Sequence, residues 1–180
     1  MRCYYHQLSL FIFFLLGACS SIPNKKISRI EQIQASAASS NYLNNIYYDQ
    51  NEILLRAVSL IGIPYRLGGN SPEEGFDCSG LINYVFYQTQ NYVLPRTVVQ
   101  LSQQGVRVKN QEIIPGDLVF FKINRKNLSH VGIYVGNQKF IHAPATGGKT
   151  RIESLLTYYW ASRLDHVRRL NKNHTVAQLP

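Results

Sequence analysis

Along the chain the apolar positions shift from a helical period to an alternating one, and the shift predicts the order of elements. Leu54, Val58 and Ile61, with Leu55 beside them, recur at helical spacing, and Gly62 and Pro64 then stop the helix. Leu67-Gly68-Gly69-Asn70-Ser71-Pro72 reads as a Gly-rich loop. Leu81, Ile82, Val85 and Phe86 predict a second helix that starts at or next to Cys78. A third is bounded by Thr97 as N-cap, Gln100 closing a capping box, and Gly105 as the stop. Beyond it the period becomes strand-like. Ile113-Pro115-Gly116-Asp117 turns into a strand over Leu118 to Phe121, and Val131 to Val135 and Phe140 to His142 flank a Gly136-Asn137 turn. A short helix over 154–160 and a strand from Leu164 to Leu170 complete the series. Helices first and strands second predicts an α+β fold rather than alternating βαβ units.

The N-terminal stretch follows a different logic. Arg2 supplies a positive start, and Leu8 to Leu16 form an apolar run of signal-peptide length, shorter than the roughly 20 residues a bilayer span needs. The run ends in Leu16-Gly17-Ala18-Cys19, which resembles a bacterial lipobox and implies an acylated Cys19, a lipid anchor and membrane attachment. Plain signal cleavage with Cys19 left over is the rival reading. Ser20 in place of Asp resembles the outer-membrane sorting of Gram-negative lipoproteins. Residues 20 to 50 are polar and rich in Ser, Asn and Gln, and read as a flexible tether with a weak helical stretch around Ile27 to Gln34. The expected organisation is a signal peptide over 1–18, a lipidated tether over 19–50, a catalytic domain over 51–171 and a polar tail over 172–180.

Composition narrows the function. The formal net charge of +9 is spread thinly along 180 residues, without a basic block interleaved with aromatics, which argues against nucleic-acid binding. A basic surface suits anionic envelope polymers. Of three cysteines, Cys3 leaves with the signal peptide, Cys19 takes the lipid, and Cys78 stands alone. An unpaired thiol in an oxidising compartment is either buried and inert or kept for its reactivity.

Cys78 falls at the start of an apolar helix, where the macrodipole favours a thiolate and unpaired N–H groups can hold an oxyanion. Such a thiol needs a base, and the base needs a third polar group to orient it. His130 and His142 bracket one predicted hairpin, whereas His6, His166 and His174 lie in the signal peptide, the last strand and the tail.

Five stretches, taken together, resemble the NlpC-type cysteine peptidase family, most like lipoprotein murein endopeptidases of the Spr/MepS kind. They are Gly62-Ile63-Pro64-Tyr65-Arg66-Leu67-Gly68-Gly69, Asp77-Cys78-Ser79-Gly80, Leu94-Pro95-Arg96-Thr97, Pro115 to Phe121 and His130 to Gly136, in order over residues 51 to 170. The resemblance implies a papain-like fold, with N-terminal helices packed on a C-terminal antiparallel sheet, that cuts peptidoglycan peptides at bonds to a diamino acid. Either a D-alanyl–diaminopimelate cross-link, which is favoured, or a D-glutamyl–diaminopimelate bond would serve. It implies Cys78 as nucleophile, His130 as base and His142 as the third polar member. It also puts the Tyr65 hydroxyl at the oxyanion hole, with Asp77 and Ser79 lining the substrate site. Gly68 and Gly69 read as turn glycines, Asp117 as turn-closing and Arg96 as a loop contact.

No cofactor and no metal are expected, and a monomer is. Zinc on Cys78, His130 and His142 is a rival, but the three lack a close-spaced pair. A catalytically dead wall-binding module and an acyl transferase or lipid hydrolase on the same scaffold are two others. The hairpin adds a geometric condition. A regular two-residue Gly136-Asn137 turn would put His130 and His142 on opposite faces, so the pair requires an odd-length loop or a bulge.

Overall fold

A computed structural model describes residues 29–124, 126–145 and 147–170. The expectations for Cys3, His6, Cys19, Ser20 and His174 lie outside the described residues. Two compact units divide the chain, Met1–Ala38 and Ser39–Pro180.

Helix α1 spans Arg29–Ser59, so the stretch expected as a tether is helical over its described part. No Gly or Pro falls between Pro23 and Gly62, and Ala, Gln, Glu and Leu hold good helix propensity through it. The apolar stripe on its C-terminal half is also one residue off expectation. Ile53, Ala57 and Leu60 are buried, whereas Leu55, Val58 and Ile61 are exposed. Two apolar stripes run side by side here, and the one carrying the small Ala57 packs inward.

Gly68 turns the following loop with φ at +77°, as a left-handed position requires. Gly69 serves differently, because a Cβ there would sit 2.3 Å from the Gly75 carbonyl oxygen. The loop closes through a two-residue hairpin, β1 (Asn70–Ser71) and β2 (Gly75–Phe76), that the alternating pattern was too short to show. Helix α2 runs Cys78–Gln90 and buries Leu81, Ile82, Val85 and Phe86, as its spacing predicts. Helix α3 is only Val98–Leu101, with the Thr97 side chain accepting from the Gln100 N–H as the capping box requires.

Six strands form one antiparallel sheet: β3 (Val106–Val108), β4 (Leu118–Phe121), β5 (His130–Gly136), β6 (Lys139–His142), β7 (Arg151–Ser154) and β8 (Leu164–Arg169). Their order across the sheet is β3-β8-β4-β5-β6-β7, and the short helix α4 (Tyr158–Ala161) lies between β7 and β8 in the chain. Both faces of the central strands are covered, so β4 is buried at all four positions. Leu118, Phe120, Val131, Ile133 and Ile141 join α1 and α2 in one core, while Val119, Phe121, Tyr134, Phe140 and Val167 pack with Leu155 and Trp160 in the other. Burial of a large apolar side chain contributes about 1.5–3 kcal/mol. Asp117 closes its turn by accepting the Ile114 N–H, and it also pairs from a buried position with Arg169 of β8.

The β5–β6 hairpin meets the geometric condition. Gly136 pairs with Lys139, so the turn is the two-residue Asn137-Gln138, and the register shifts between Tyr134 and Gly136. Asn137 and Gln138 both take positive φ, at 51° and 56°, as a type I′ turn demands. Val135 is therefore the extra residue of a bulge. Parity is restored, and His130, Gly132, Phe140 and His142 share a face.

Candidate active site

Cys78 is the first residue of α2, half-buried and free of any disulfide. Asp77 caps the helix by accepting from the Gly80 N–H, which leaves the preceding N–H groups for the sulfur. Burial pushes the Cys78 thiol up to about 11, with the Asp77 charge adding to it, against N–H groups of Ser79, Val131 and Cys78 itself that favour the thiolate. One of those N–H groups belongs to Val131, the residue after His130, so the helix start abuts the start of β5.

His130 and His142 are both buried, and His130 Nε2 lies 2.7 Å from His142 Nδ1. Their rings meet edge to face, with centroids 5.0 Å apart and planes at 89°. Gly132 makes that approach possible: a Cβ there would fall 2.6 Å from Phe140 Cδ2 and 2.8 Å from the Ile141 carbonyl oxygen. Burial, then the neighbouring His142, lowers His130 to about 3, although Glu153 opposes the shift. Burial likewise lowers His142 to about 4, opposed by Glu153 and aided by Arg151. Each of these shifts favours an uncharged resting site, with a neutral thiol and neutral imidazoles.

Tyr65 belongs to the same electrostatic neighbourhood. Its phenol is raised first by burial and then by the charges of Cys78 and Asp77, and is lowered by Arg96. Asp77 and Ser79, expected to line a substrate site, are both buried and bound to Arg96. Arg96 grips Asp77 with both ends of its fork, Nη1 to Oδ1 at 2.8 Å and Nη2 to Oδ2 at 2.7 Å, and Nη1 also reaches Ser79 Oγ at 2.7 Å. Asp77 Oδ2 further accepts the Gly68 N–H at 2.9 Å. Burial alone would raise Asp77, but the Arg96 bonds and the two backbone N–H groups outweigh it and hold the carboxyl below the usual range. Arg96, expected as a loop contact, is thus the clamp that fixes the Gly-rich loop to helix α2.

Two residues escaped the sequence reading. Glu153 on β7 comes within 3.4 Å of His142 Nε2, and Trp160 of α4 stacks near His130 with ring centroids 5.6 Å apart. Neither sits in a motif. The β6–β7 register, which pairs Phe140 with Glu153, carries Glu153 to the histidines, and α4 brings Trp160 there. Among the described residues no group of three or more His, Cys, Asp and Glu is arranged to hold a metal ion.

Residues 62–169, from the Gly-rich loop through the last strand, match the NlpC/P60 family. The chain belongs to that family. It is 42% identical over 120 residues to the gamma-DL-glutamyl hydrolase of Bacillus subtilis (strain 168), covering 66% of this chain and 29% of that protein. Murein DD-endopeptidase MepH of Escherichia coli (strain K12) is 42% identical over 113 residues, 61% of this chain and 42% of MepH. The chain therefore spans less than half the length of these two relatives. Murein DD-endopeptidase MepS/Murein LD-carboxypeptidase of the same E. coli strain is 32% identical over 166 residues, 87% of this chain and 86% of MepS. Among solved structures, the NlpC/P60 domain of the peptidoglycan hydrolase SagA superposes with a TM-score of 0.60 at 29% identity, covering 67% of this chain and 98% of that domain. NlpC/P60 proteins are cysteine peptidases, and the α+β arrangement here is theirs.

Proposed function

We propose that this protein is a cysteine endopeptidase that hydrolyses peptidoglycan peptides through a thioester acyl-enzyme, with Cys78 as nucleophile, His130 as base and His142 as the orienting group. The observation that carries the reading is the buried His130–His142 bond at 2.7 Å, set beside a helix-start thiol. Because His130 gives its Nε2 to His142, its Nδ1 is the nitrogen left to take the proton of Cys78. The sulfur then attacks the scissile carbonyl, and the N–H groups at the start of α2, with the Tyr65 hydroxyl, face the oxyanion. His130 returns the proton to the leaving amine, and water releases the acyl group. Asp77 and Ser79 act in this account by holding the loop and helix in register, through Arg96.

The bond favoured is the D-alanyl–diaminopimelate cross-link, supported by the DD-endopeptidase names of MepH and MepS. The gamma-DL-glutamyl hydrolase name keeps the D-glutamyl–diaminopimelate bond as the second reading. Mass spectrometry of purified muropeptides before and after digestion separates them. A cross-linked dimer split into monomers supports the first, and a stem peptide shortened after D-glutamate supports the second. The Leu16-Gly17-Ala18-Cys19 stretch supports a lipid anchor on Cys19, and Ser20 after it supports a place at the periplasmic face of the outer membrane.

A further inference from the structure

His142 is wholly buried, and its Nε2 has no hydrogen-bond partner among the described residues, although Glu153 Oε1 lies 3.4 Å away. The chemistry of the site dictates what that atom must carry. For His130 Nδ1 to accept the thiol proton, the ring must bear its hydrogen on Nε2 and donate it to His142 Nδ1. His142 must then bear its own hydrogen on Nε2, on the side of Glu153. The opposite tautomer of His142 would donate from Nδ1 to His130 Nε2. His130 would then carry its hydrogen on Nδ1, and the base would be lost.

We propose that Glu153 is the positioning residue that fixes this order, its carboxylate holding the hydrogen of His142 on Nε2 and so keeping His130 Nδ1 open toward Cys78. The proposal rests on the Cys78–His130 reading of the site. Glu153 is built for the task. It stands opposite Phe140 in the β6–β7 register, and so on the face of the sheet that carries His142. Arg151 Nε and Nη2 each bind its Oε1 at 2.5 Å, and the Trp160 indole N–H donates to Oε2. Burial would raise the Glu153 carboxyl, but Trp160 and Arg151 outweigh it and keep the group ionised. Trp160 also walls both imidazoles, with its ring 5.6 Å from that of His130 and 4.9 Å from that of His142.

When the S–H bond of Cys78 breaks, its proton forms the second N–H bond of His130 and its electron pair goes to the attacking sulfur. The proton stays on the histidine pair, and Glu153 stays ionised and offsets the new positive charge. The charged and titratable groups acting on that pair are Glu153 and Arg151 from β7. Glu153 raises the proton affinity of both histidines and Arg151 lowers that of His142, so removing one should act opposite to removing the other.

The test uses the full chain, with wild type, Glu153→Gln, Glu153→Asp and Arg151→Ala assayed on purified muropeptides. In Glu153→Gln, kcat should fall about ten- to a hundredfold with KM little changed, by analogy with carboxylates that orient metal-bound imidazoles. The acid limb of kcat/KM should move to lower pH in Glu153→Gln and to higher pH in Arg151→Ala, and Glu153→Asp should recover part of the lost kcat. At neutral pH the nitrogen-15 shifts of His142 should report the Nε2–H tautomer in wild type and a mixture in Glu153→Gln. An unchanged kcat and tautomer in Glu153→Gln, or acid limbs that move the same way in both variants, would overturn the proposal. Activity surviving in Cys78→Ala would instead overturn the nucleophile assignment on which it rests.

Discussion

Cys78 and His130 both favour their uncharged forms, and that sets how the thiol should respond to pH. With burial carrying the thiol up to about 11 and His130 down to about 3, a resting thiolate–imidazolium pair is disfavoured. Iodoacetamide alkylation of the resting protein should therefore keep rising with pH beyond the ordinary thiol value of roughly 8.5. A plateau at mildly acidic pH would show a preformed ion pair instead. The acid limb of kcat/KM should lie below 6.5, the ordinary histidine value, because both imidazoles are lowered. Arg96→Ala tests the clamp. It strips a fork from a carboxylate that is only 11% exposed, and the cost should be about 1–3 kcal/mol, toward the lower end because Arg96 is itself partly exposed. Asp77 has a lowered folded-state pKa, so its contribution is present above 3.8 and is lost as pH falls through the folded value. Urea unfolding should accordingly show a smaller gap between wild type and Arg96→Ala at about pH 3 than at neutral pH. An equal gap at both would place the effect of Arg96 elsewhere. Cys78, His130 and His142 each fall at an element boundary that periodicity exposes. Arg96 reads in the sequence as a loop contact within Leu94-Pro95-Arg96-Thr97, and its clamping role does not, since its partners lie 17 and 19 positions away.

At the scale of elements, the hairpin shows why local pattern reaches only so far. Alternation located β5 and β6, and the need for His130 and His142 to meet called for a bulge. The turn nevertheless falls at Asn137-Gln138, one residue later than Gly136-Asn137, because two residues other than glycine adopt positive φ. Gly132→Ala checks the packing this hairpin depends on. A methyl group 2.6 Å from Phe140 must push β6 away, which should destabilise the protein by about 1–3 kcal/mol and part the two imidazoles. The expected readouts are a lowered thermal midpoint and a loss of muropeptide hydrolysis. Wild-type stability and rate would contradict the close approach. Strands β3 and β7 were missed for a related reason. Val106–Val108 and Arg151–Ser154 are only three and four residues long, too short for a pattern to stand out, and they are strands because they pair with β8 and β6. Glu153 was missed along with β7.

For the whole molecule, the pattern of helices before strands gave the α+β class, while the packing of the sheet on both faces came from tertiary pairing. Trp160 shows the consequence: it joins the core beneath the histidines from a four-residue helix with no periodicity of its own. The length of α1 was underestimated because a polar segment without Gly or Pro reads as readily as a tether as a helix. The anchor proposal is tested at this scale by fractionation. Cys19→Ala should leave the membrane fraction without reducing activity on soluble muropeptides, and a variant that still sediments with membrane and carries no lipid would refute the anchor. The central claim, that Cys78 cuts murein peptides, is tested most directly by digesting purified cross-linked muropeptides with wild type and Cys78→Ala and weighing the products. Wild type should yield monomers, and a Cys78→Ala protein that unfolds at an unchanged temperature should leave the dimer intact. Monomers accumulating at a comparable rate with folded Cys78→Ala would contradict it.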